Sequence, residues 1–257
     1  MESGVRSQES GVRSQESGVR SQESEQEQEF DSFAENYSSD LDNNLSKIFK
    51  DNPHEYFNQY KIFYLRKIFQ AQQKLTSRPL KILDYGCGVG LFSKTIYDAF
   101  NNITIHGFDV SSKSIEQVPE EIRTGGNFFT SNLAELDSDY DIALLITVLH
   151  HVVPKSDRPG VMQNIYKRLK PGGKLIIIEH NMKNPLTRKL VNNSPVDKDA
   201  FTLDMSECKN LLASSGFKNI SGKYIVFFPK QLACLRFLDK FISHVPLGAQ
   251  YMTSGEK

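Results

Sequence analysis

Charge of either sign is not in excess: Lys and Arg total 31, Asp and Glu total 31, and the isoelectric point lies near 7.0. That removes the broad basic footprint expected of a protein that grips nucleic-acid phosphates. Cysteine is scarce. The three present, Cys87, Cys208 and Cys234, have a spacing that fits neither a zinc site nor a disulfide framework. Reduced thiols and no metal centre are the expectation. Long apolar runs are missing too. The longest, Ile142 to Leu149, falls short of the roughly 18 residues that span a bilayer and suits a buried strand. The first residues are polar and mixed in charge, without the apolar stretch of a secretory signal. These absences point to a cytoplasmic protein with no transmembrane segment.

What is present suits one soluble domain. The chain has 257 residues, 39% hydrophobic and 24% charged, enough for a sizeable core. Residues 2–22 repeat ESGVRSQ three times. A period of seven suggests a coiled coil, but each copy has one valine and carries a glycine, so no apolar seam exists. Residues 1–29 read as a disordered tail. Folded structure is expected over 30–257, with helices over 30–77 and a core over 80–257. Phe30, Phe33, Ala34, Tyr37, Leu41, Leu45 and Ile48 follow helical spacing. Pro53 opens a second helix carrying a broad aromatic stripe to about Leu75.

The stretch KILDYGCGVGLFS, Lys81 to Ser93, organises the rest. An apolar run ends in Asp84; Gly86, Gly88 and Gly90 follow at alternate positions; a helical pattern begins at Leu91. This reads as strand, glycine turn and helix. Glycine accepts positive φ and lets a ligand lie against bare backbone. A helix start offers unpaired N–H groups and a positive dipole end. The dinucleotide fingerprint G-x-G-x-x-G needs a third glycine, and that position here is Leu91.

Downstream, Ile103 to Phe108 alternates as a second strand ending in Asp109, about 20 residues after Gly90, where dinucleotide folds place a ribose-binding acid. Asp109 either takes that role or caps the helix at Ser111–Val118, with Ser111 able to cap instead. Asn127 to Ser131 reads as a third strand, followed by Asn132 and Leu133. A fourth strand, IALLITVL, runs into Thr147, Val148, Leu149, His150 and His151. Adjacent histidines are expected to point to different sides. Either one of them faces a substrate as a base or both pack. In LKPGGKLIIIEH, Lys170 to Gly173 turn sharply and Lys174 to Ile178 form a buried central strand. Glu179, His180 and Asn181 stand at its carboxyl end. A polar insert near 182–203, with Asp197 and Asp199, is expected to form a lid. A helix over Ser206–Ser215 stops at Gly216. An amphipathic helix over Lys230–Ser243 and a last strand over Leu247–Ser254 complete the chain.

DYGCGVG, the Asp109 strand end, the LHH strand end and LKPGGKLIIIE, in that order, resemble the motifs of class I S-adenosylmethionine (SAM)-dependent methyltransferases. Among these they resemble most the ubiquinone/menaquinone-biosynthesis type of small-molecule enzyme. The resemblance covers about residues 30–257. It implies an α/β fold with a single doubly wound, Rossmann-like sheet of seven strands, in the order 3-2-1-4-5-7-6 with the last strand antiparallel. It implies SAM as cofactor, S-adenosylhomocysteine as product and a small-molecule acceptor, with O- or C-methylation favoured. Gly86, Gly88 and Gly90 would underlie the amino-acid part of SAM, with Asp84 contacting it. Asp109 would take the ribose hydroxyls and Val110 would flank the adenine. Asn132 and Leu133 would meet the adenine edge. Thr147 would border the methyl, and Tyr37 would reach toward SAM. Tyr60 and Lys61 would approach its carboxylate. His150, His151, Glu179 and His180 are the candidate bases.

The Asn/Asp-Pro-Pro-aromatic motif of enzymes that methylate nucleic-acid bases is absent at the fourth strand's end, which argues against such substrates. A nicotinamide oxidoreductase would share the Asp109 logic, but the missing third glycine and LKPGG count against it. A non-catalytic SAM-binding protein would keep the nucleotide residues alone. Aromatic helices at the start and the segment 230–243 suit a quinone- or lipid-like acceptor, or a peripheral membrane contact. The polar insert suits a sugar or secondary metabolite.

Overall fold

The computed structural model describes Asp31, residues 53–194 and residues 200–257. The repeat tail, the first amphipathic stretch with Tyr37, and both Asp197 and Asp199 lie outside the described residues. Helix α1, Pro53–Gln73, precedes strand β1, Leu80–Tyr85, and α2, Leu91–Ala99. Then come β2, Ile103–Phe108, α3, Ser112–Glu116, and the short β3, Phe128–Thr130. β4, Tyr140–Ile146, leads to α4, Arg158–Arg168, and β5, Leu169–His180. The C-terminal part holds α5, Pro185–Asn192, α6, Met205–Ser214, β6, Lys218–Ile225, α7, Asp239–Ile242, and β7, Gln250–Glu256.

The seven strands form one sheet in the order β3-β2-β1-β4-β5-β7-β6. β7 alone runs antiparallel to its neighbours, pairing Ile177 with Thr253 on β5 and Tyr224 with Tyr251 on β6. The expected fold is the one observed. Its physical origin lies in runs such as IALLI and LIII, which bury both faces of a strand. Ile142, Leu144, Ile176 and Ile178 pack on one side with α1 and α2 residues such as Leu65 and Ile96. Ala143, Leu145, Leu175 and Ile177 pack on the other with Met162, Ile165 and Leu212 of α4 and α6. Parallel strands covered by helices on both faces require such runs. The strand order reverses direction between β1 and β4, and open α/β sheets bind ligands outside the strand ends at that crevice.

Three local expectations change. β5 begins at Leu169 rather than Lys174: the PGG turn is a bulge between pairs Tyr140–Leu169 and Ile142–Lys174. The insert near 182–203 contains the helix α5, capped by Asn184, whose side chain accepts from Leu186 and Thr187 N–H groups. The segment 230–243 is not one amphipathic helix. It is a 3-10 stretch over Lys230–Leu238, broken at Leu232, followed by one turn of α7. Tertiary anchoring overrides its helical period, because Asp239 is buried and accepts hydrogen bonds from Tyr60 and Tyr64 of α1.

Candidate functional site

The glycine loop follows β1 directly. Gly86, Gly88 and Gly90 all take positive φ, at 78°, 53° and 77°. Gly86 N–H donates to the Phe108 carbonyl of β2 at 2.7 Å, which ties the loop to the neighbouring strand. The three glycines differ in what surrounds them. A Cβ on Gly86 would lie 2.5 Å from the Val148 side chain, and one on Gly90 would lie 3.1 Å from Val118. A Cβ on Gly88 would meet nothing within 4 Å. Two glycines therefore serve close packing, and Gly88 faces open space at the start of α2.

Acids flank this loop on both sides. Asp84 is buried and accepts a hydrogen bond from Ser93 Oγ of α2. Burial pushes its pKa up to about 6; the Ser93 hydrogen bond opposes this and the nearby Asp109 adds to it. Lys61, from α1, is buried beside it, donating to Asn58 Oδ1 at 3.2 Å and lying over the Phe92 ring at 5.2 Å. Burial lowers the Lys61 ammonium to about 8, against the attraction of Asp84 and Glu179. Tyr60 turns away from this point, to Asp239 at 2.6 Å. The buried Lys61 cation thus feels the charge of two buried carboxylates, Asp84 and Glu179.

Asp109 holds the other side. Its Oδ2 accepts from Gly88 N–H at 2.7 Å and its Oδ1 from Ser111 N–H at 3.0 Å. Burial raises its pKa, and these two backbone hydrogen bonds lower it. Ser111 caps α3 by accepting from Ser114 N–H at 3.0 Å, so the cap does not fall to Asp109. Asp31 also reaches this corner, its carboxylate accepting from Ser111 Oγ at 2.6 Å. Val110 is exposed. Asn132 turns its amide onto its own 3-10 turn, Oδ1 accepting from Ala134 N–H and Nδ2 donating to Glu135. Leu133 is half-buried, and its carbonyl accepts from Arg168 at 2.8 Å.

At the end of β4, Thr147 takes φ +57°, a left-handed conformation uncommon for a β-branched residue. Its N–H donates to the Ile178 carbonyl at 2.8 Å, so the chain turns out of the sheet there. A 3-10 turn, Leu149–His151, follows. Glu179 organises that turn. Its Oε1 accepts from Val148 N–H at 3.1 Å and Leu149 N–H at 2.8 Å, and its Oε2 meets His150 Nδ1 at 2.5 Å. Both side chains of this pair are 1% exposed. Burial pushes the Glu179 carboxyl up, but His150 and the other partners outweigh it and hold it below the usual carboxylate range.

The histidines come together. The His150 ring lies 4.1 Å from that of His151 and 5.2 Å from that of His180, centre to centre. This corrects the expectation that His150 and His151 point to different sides. That expectation assumed a strand, and the chain has already left the strand at Thr147. Glu179 Oε1 thus holds the turn's backbone and Oε2 holds the His150 ring, a positioning arrangement. Asn181 is likewise tied down, donating to the Gly248 carbonyl at 2.7 Å. The return of the 182–203 insert closes on the same place: Phe201 N–H donates to the His150 carbonyl at 2.8 Å, and Arg158 donates to the Phe201 carbonyl. Among the described residues, no group of three or more His, Cys, Asp or Glu is arranged to hold a metal ion.

Lys61 apart, which comes from α1, these groups stand at or just beyond the carboxyl ends of β1 to β5. A separate surface cavity of about 530 Å³, lined by Arg78, Lys81, Thr104, His106 and Asp137, lies at the opposite strand ends. Its Lys81 is paired with Asp137 at 2.8 Å, and none of the groups described above lines it. Lys61 was visible in the sequence only through its place in α1; nothing local marks a lysine that will be buried.

The model of a family described as a methyltransferase domain matches residues 39–221. The ubiquinone biosynthesis O-methyltransferase of Rickettsia conorii is 33% identical over 103 residues, which cover 38% of this chain and 34% of that protein. The protein of the same name from Rickettsia akari is 28% identical over 123 residues, covering 47% and 48%. The chain thus spans about a third to a half of the length of these relatives. Among solved structures, the plantazolicin methyltransferase BamL, in complex with a triazolic desmethylPZN analog and S-adenosylhomocysteine, superposes with a TM-score of 0.60 at 17% identity, covering 94% of this chain and 98% of that one. A SAM-dependent methyltransferase from Archaeoglobus fulgidus gives 0.58 at 16% identity, covering 78% and 94%. Likeness at these identities shows a shared fold.

Proposed function

Since the chain belongs to the methyltransferase domain family, we propose that it transfers the methyl group of SAM to a hydroxyl of a small-molecule acceptor. The observation that carries this is the opening at Gly88, with Asp109 bonded to its N–H and the buried Asp84 and Lys61 near the end of β1. Such a site fits the cofactor group by group. Asp109 suits two vicinal hydroxyls, since each carboxylate oxygen retains acceptor capacity beyond its one backbone donor. Asp84 suits the ammonium of an amino-acid end and Lys61 its carboxylate. Val110 and the Asn132–Leu133 turn suit the flanks of an adenine.

When bound, SAM supplies an already activated methyl group, so the protein's task is alignment and exclusion of water. The Thr147 turn brings the histidine cluster to the edge of the glycine loop, where Val148 packs on Gly86. His150 is oriented by Glu179 through Nδ1 at 2.5 Å. The base for the acceptor hydroxyl belongs to the cluster of His150, His151 and His180, whose rings lie together. A positioned base contributes roughly 10²–10⁴-fold. The likeness to relatives named O-methyltransferases supports oxygen as the accepting atom. Labelled-methyl transfer from SAM to a panel of hydroxylated quinones, phenols and sugars tests this. Turnover that falls at least 100-fold in His150→Gln, with cofactor binding intact, is expected. Turnover unchanged in that variant would remove His150 from the chemistry.

A further inference from the structure

The segment joining β6 to β7 leaves large apolar side chains outside the core. Leu232 is 44% exposed, Phe237 60%, Phe241 61% and Leu247 60%. Phe63 of α1, 52% exposed, lies one position before Tyr64, which holds Asp239 of this segment. The segment and α1 are thus bound together, and both carry apolar side chains outward.

Charge is segregated on the same part of the molecule. Residues 223–247 contain four cations, Lys223, Lys230, Arg236 and Lys240, and one acid, Asp239. That acid is buried between two tyrosines and offers nothing to the surface. Lys223 Nζ lies 4.6 Å over the Tyr64 ring, and Lys240 Nζ lies 4.7 Å over the Phe241 ring. α1 adds the exposed Arg66 and Lys67. In a chain with no net charge, this is a local basic excess mixed with exposed phenylalanines. Aromatic side chains beside lysines are what the boundary between lipid headgroups and acyl chains receives. A protein partner of matching acidity would have to supply a pocket for two phenylalanines carried on one short turn; a lipid surface needs none.

We propose that this face, formed by Phe63, Phe237, Phe241, Lys67, Lys223 and Lys240, seats the protein on an anionic lipid surface, the phenylalanines entering the headgroup layer and the lysines meeting lipid phosphates. This goes beyond the methyltransferase reading and stands without it, since it depends on none of the groups around Gly88. Among the described residues no helix is long and apolar enough to cross a membrane, so contact is peripheral.

The test is co-sedimentation of the full chain with vesicles of phosphatidylcholine alone or with 30% phosphatidylglycerol, at low and high salt. Binding to the anionic vesicles, at least tenfold stronger than to neutral ones and reduced by salt, is expected. Phe237→Ser with Phe241→Ser, and separately Lys67→Glu with Lys240→Glu, should each lower binding at least tenfold, with thermal unfolding unchanged because these side chains are exposed. No partition into either vesicle, equal binding to both, or binding that survives both double variants overturns the proposal.

Discussion

A Cβ at Gly88 would meet only open space, whereas one at Gly86 would press into Val148. The two positions should therefore fail differently. A left-handed residue with a side chain costs about 1–2 kcal/mol, and overpacking adds about 1–3 kcal/mol. Gly86→Ala should lower the melting temperature substantially. Gly88→Ala should lower it less and weaken S-adenosylhomocysteine binding at least tenfold, as read by thermal melts beside calorimetry. Titration gives a second prediction at this scale. Asp84 holds its proton to about pH 6 in the folded state, against 3.8 unfolded. Its contribution to stability is therefore present at low pH and lost as pH rises through that window. Lys61 releases its proton near 8 rather than 10.5. The unfolded chain then binds more protons between those values, and stability recovers as pH rises through them. Ligand binding should show the mirror image. Affinity for S-adenosylhomocysteine should rise as Asp84 ionises toward pH 6 and fall above pH 8 as Lys61 discharges. In Lys61→Met the fall near 8 should vanish, leaving only titration of the ligand's own amine. A fall near 8 that persists unchanged would place Lys61 outside the binding site. The glycines and both acids were legible in the sequence because they are local consequences of a strand end. The depth of Lys61 was not, because it depends on α1 lying across β1 and α2.

Among the elements, the turn after β4 depends most on one side chain from another strand. Glu179 satisfies two backbone N–H groups and orients His150. Removing it leaves buried donors without acceptors, which costs about 1–3 kcal/mol per group. Glu179→Ala should therefore destabilise the protein by roughly 2–4 kcal/mol in urea unfolding. Glu179→Gln keeps the volume and an acceptor. It should retain most stability while lowering kcat far more than it raises KM, because the imidazole loses the charge that supports it. Equal effects on kcat and KM would indicate a merely structural role. The histidine cluster was misread from sequence because strand alternation was carried past Ile146, where β4 ends, through Thr147 to the histidines. Thr147 takes a conformation that glycine or asparagine usually marks, and a threonine gives no warning of it. The segment 230–243 was misread for the same kind of reason: its period is helical, but the buried Asp239 fixes a different path.

At the scale of the whole molecule, the apolar runs long enough to bury both faces of a strand marked the central strands, whereas the sheet order was anticipated through the resemblance to class I SAM-dependent methyltransferases. What the sequence did not disclose is how its two ends meet. Tyr60 and Tyr64 donate to Asp239, which lies 179 and 175 residues further along the chain. Such a contact has no local signature. Asp239→Ala should strand two tyrosine hydroxyls and loosen α1 from the C-terminal segment, lowering stability by about 2–4 kcal/mol and reducing hydrogen-exchange protection in α1. Because α1 carries Lys61, cofactor affinity should fall with it. The central claim is that the glycine loop between β1 and α2 is a SAM site with Asp109 as its ribose acid. Calorimetric titration of S-adenosylhomocysteine and NAD(H), on the wild type and on Asp109→Ala, tests it most directly. The account predicts micromolar binding of S-adenosylhomocysteine, at least tenfold weaker in the variant, and no binding of NAD(H). Binding of NAD(H) in its place, or no binding of S-adenosylhomocysteine to the full chain, would contradict it.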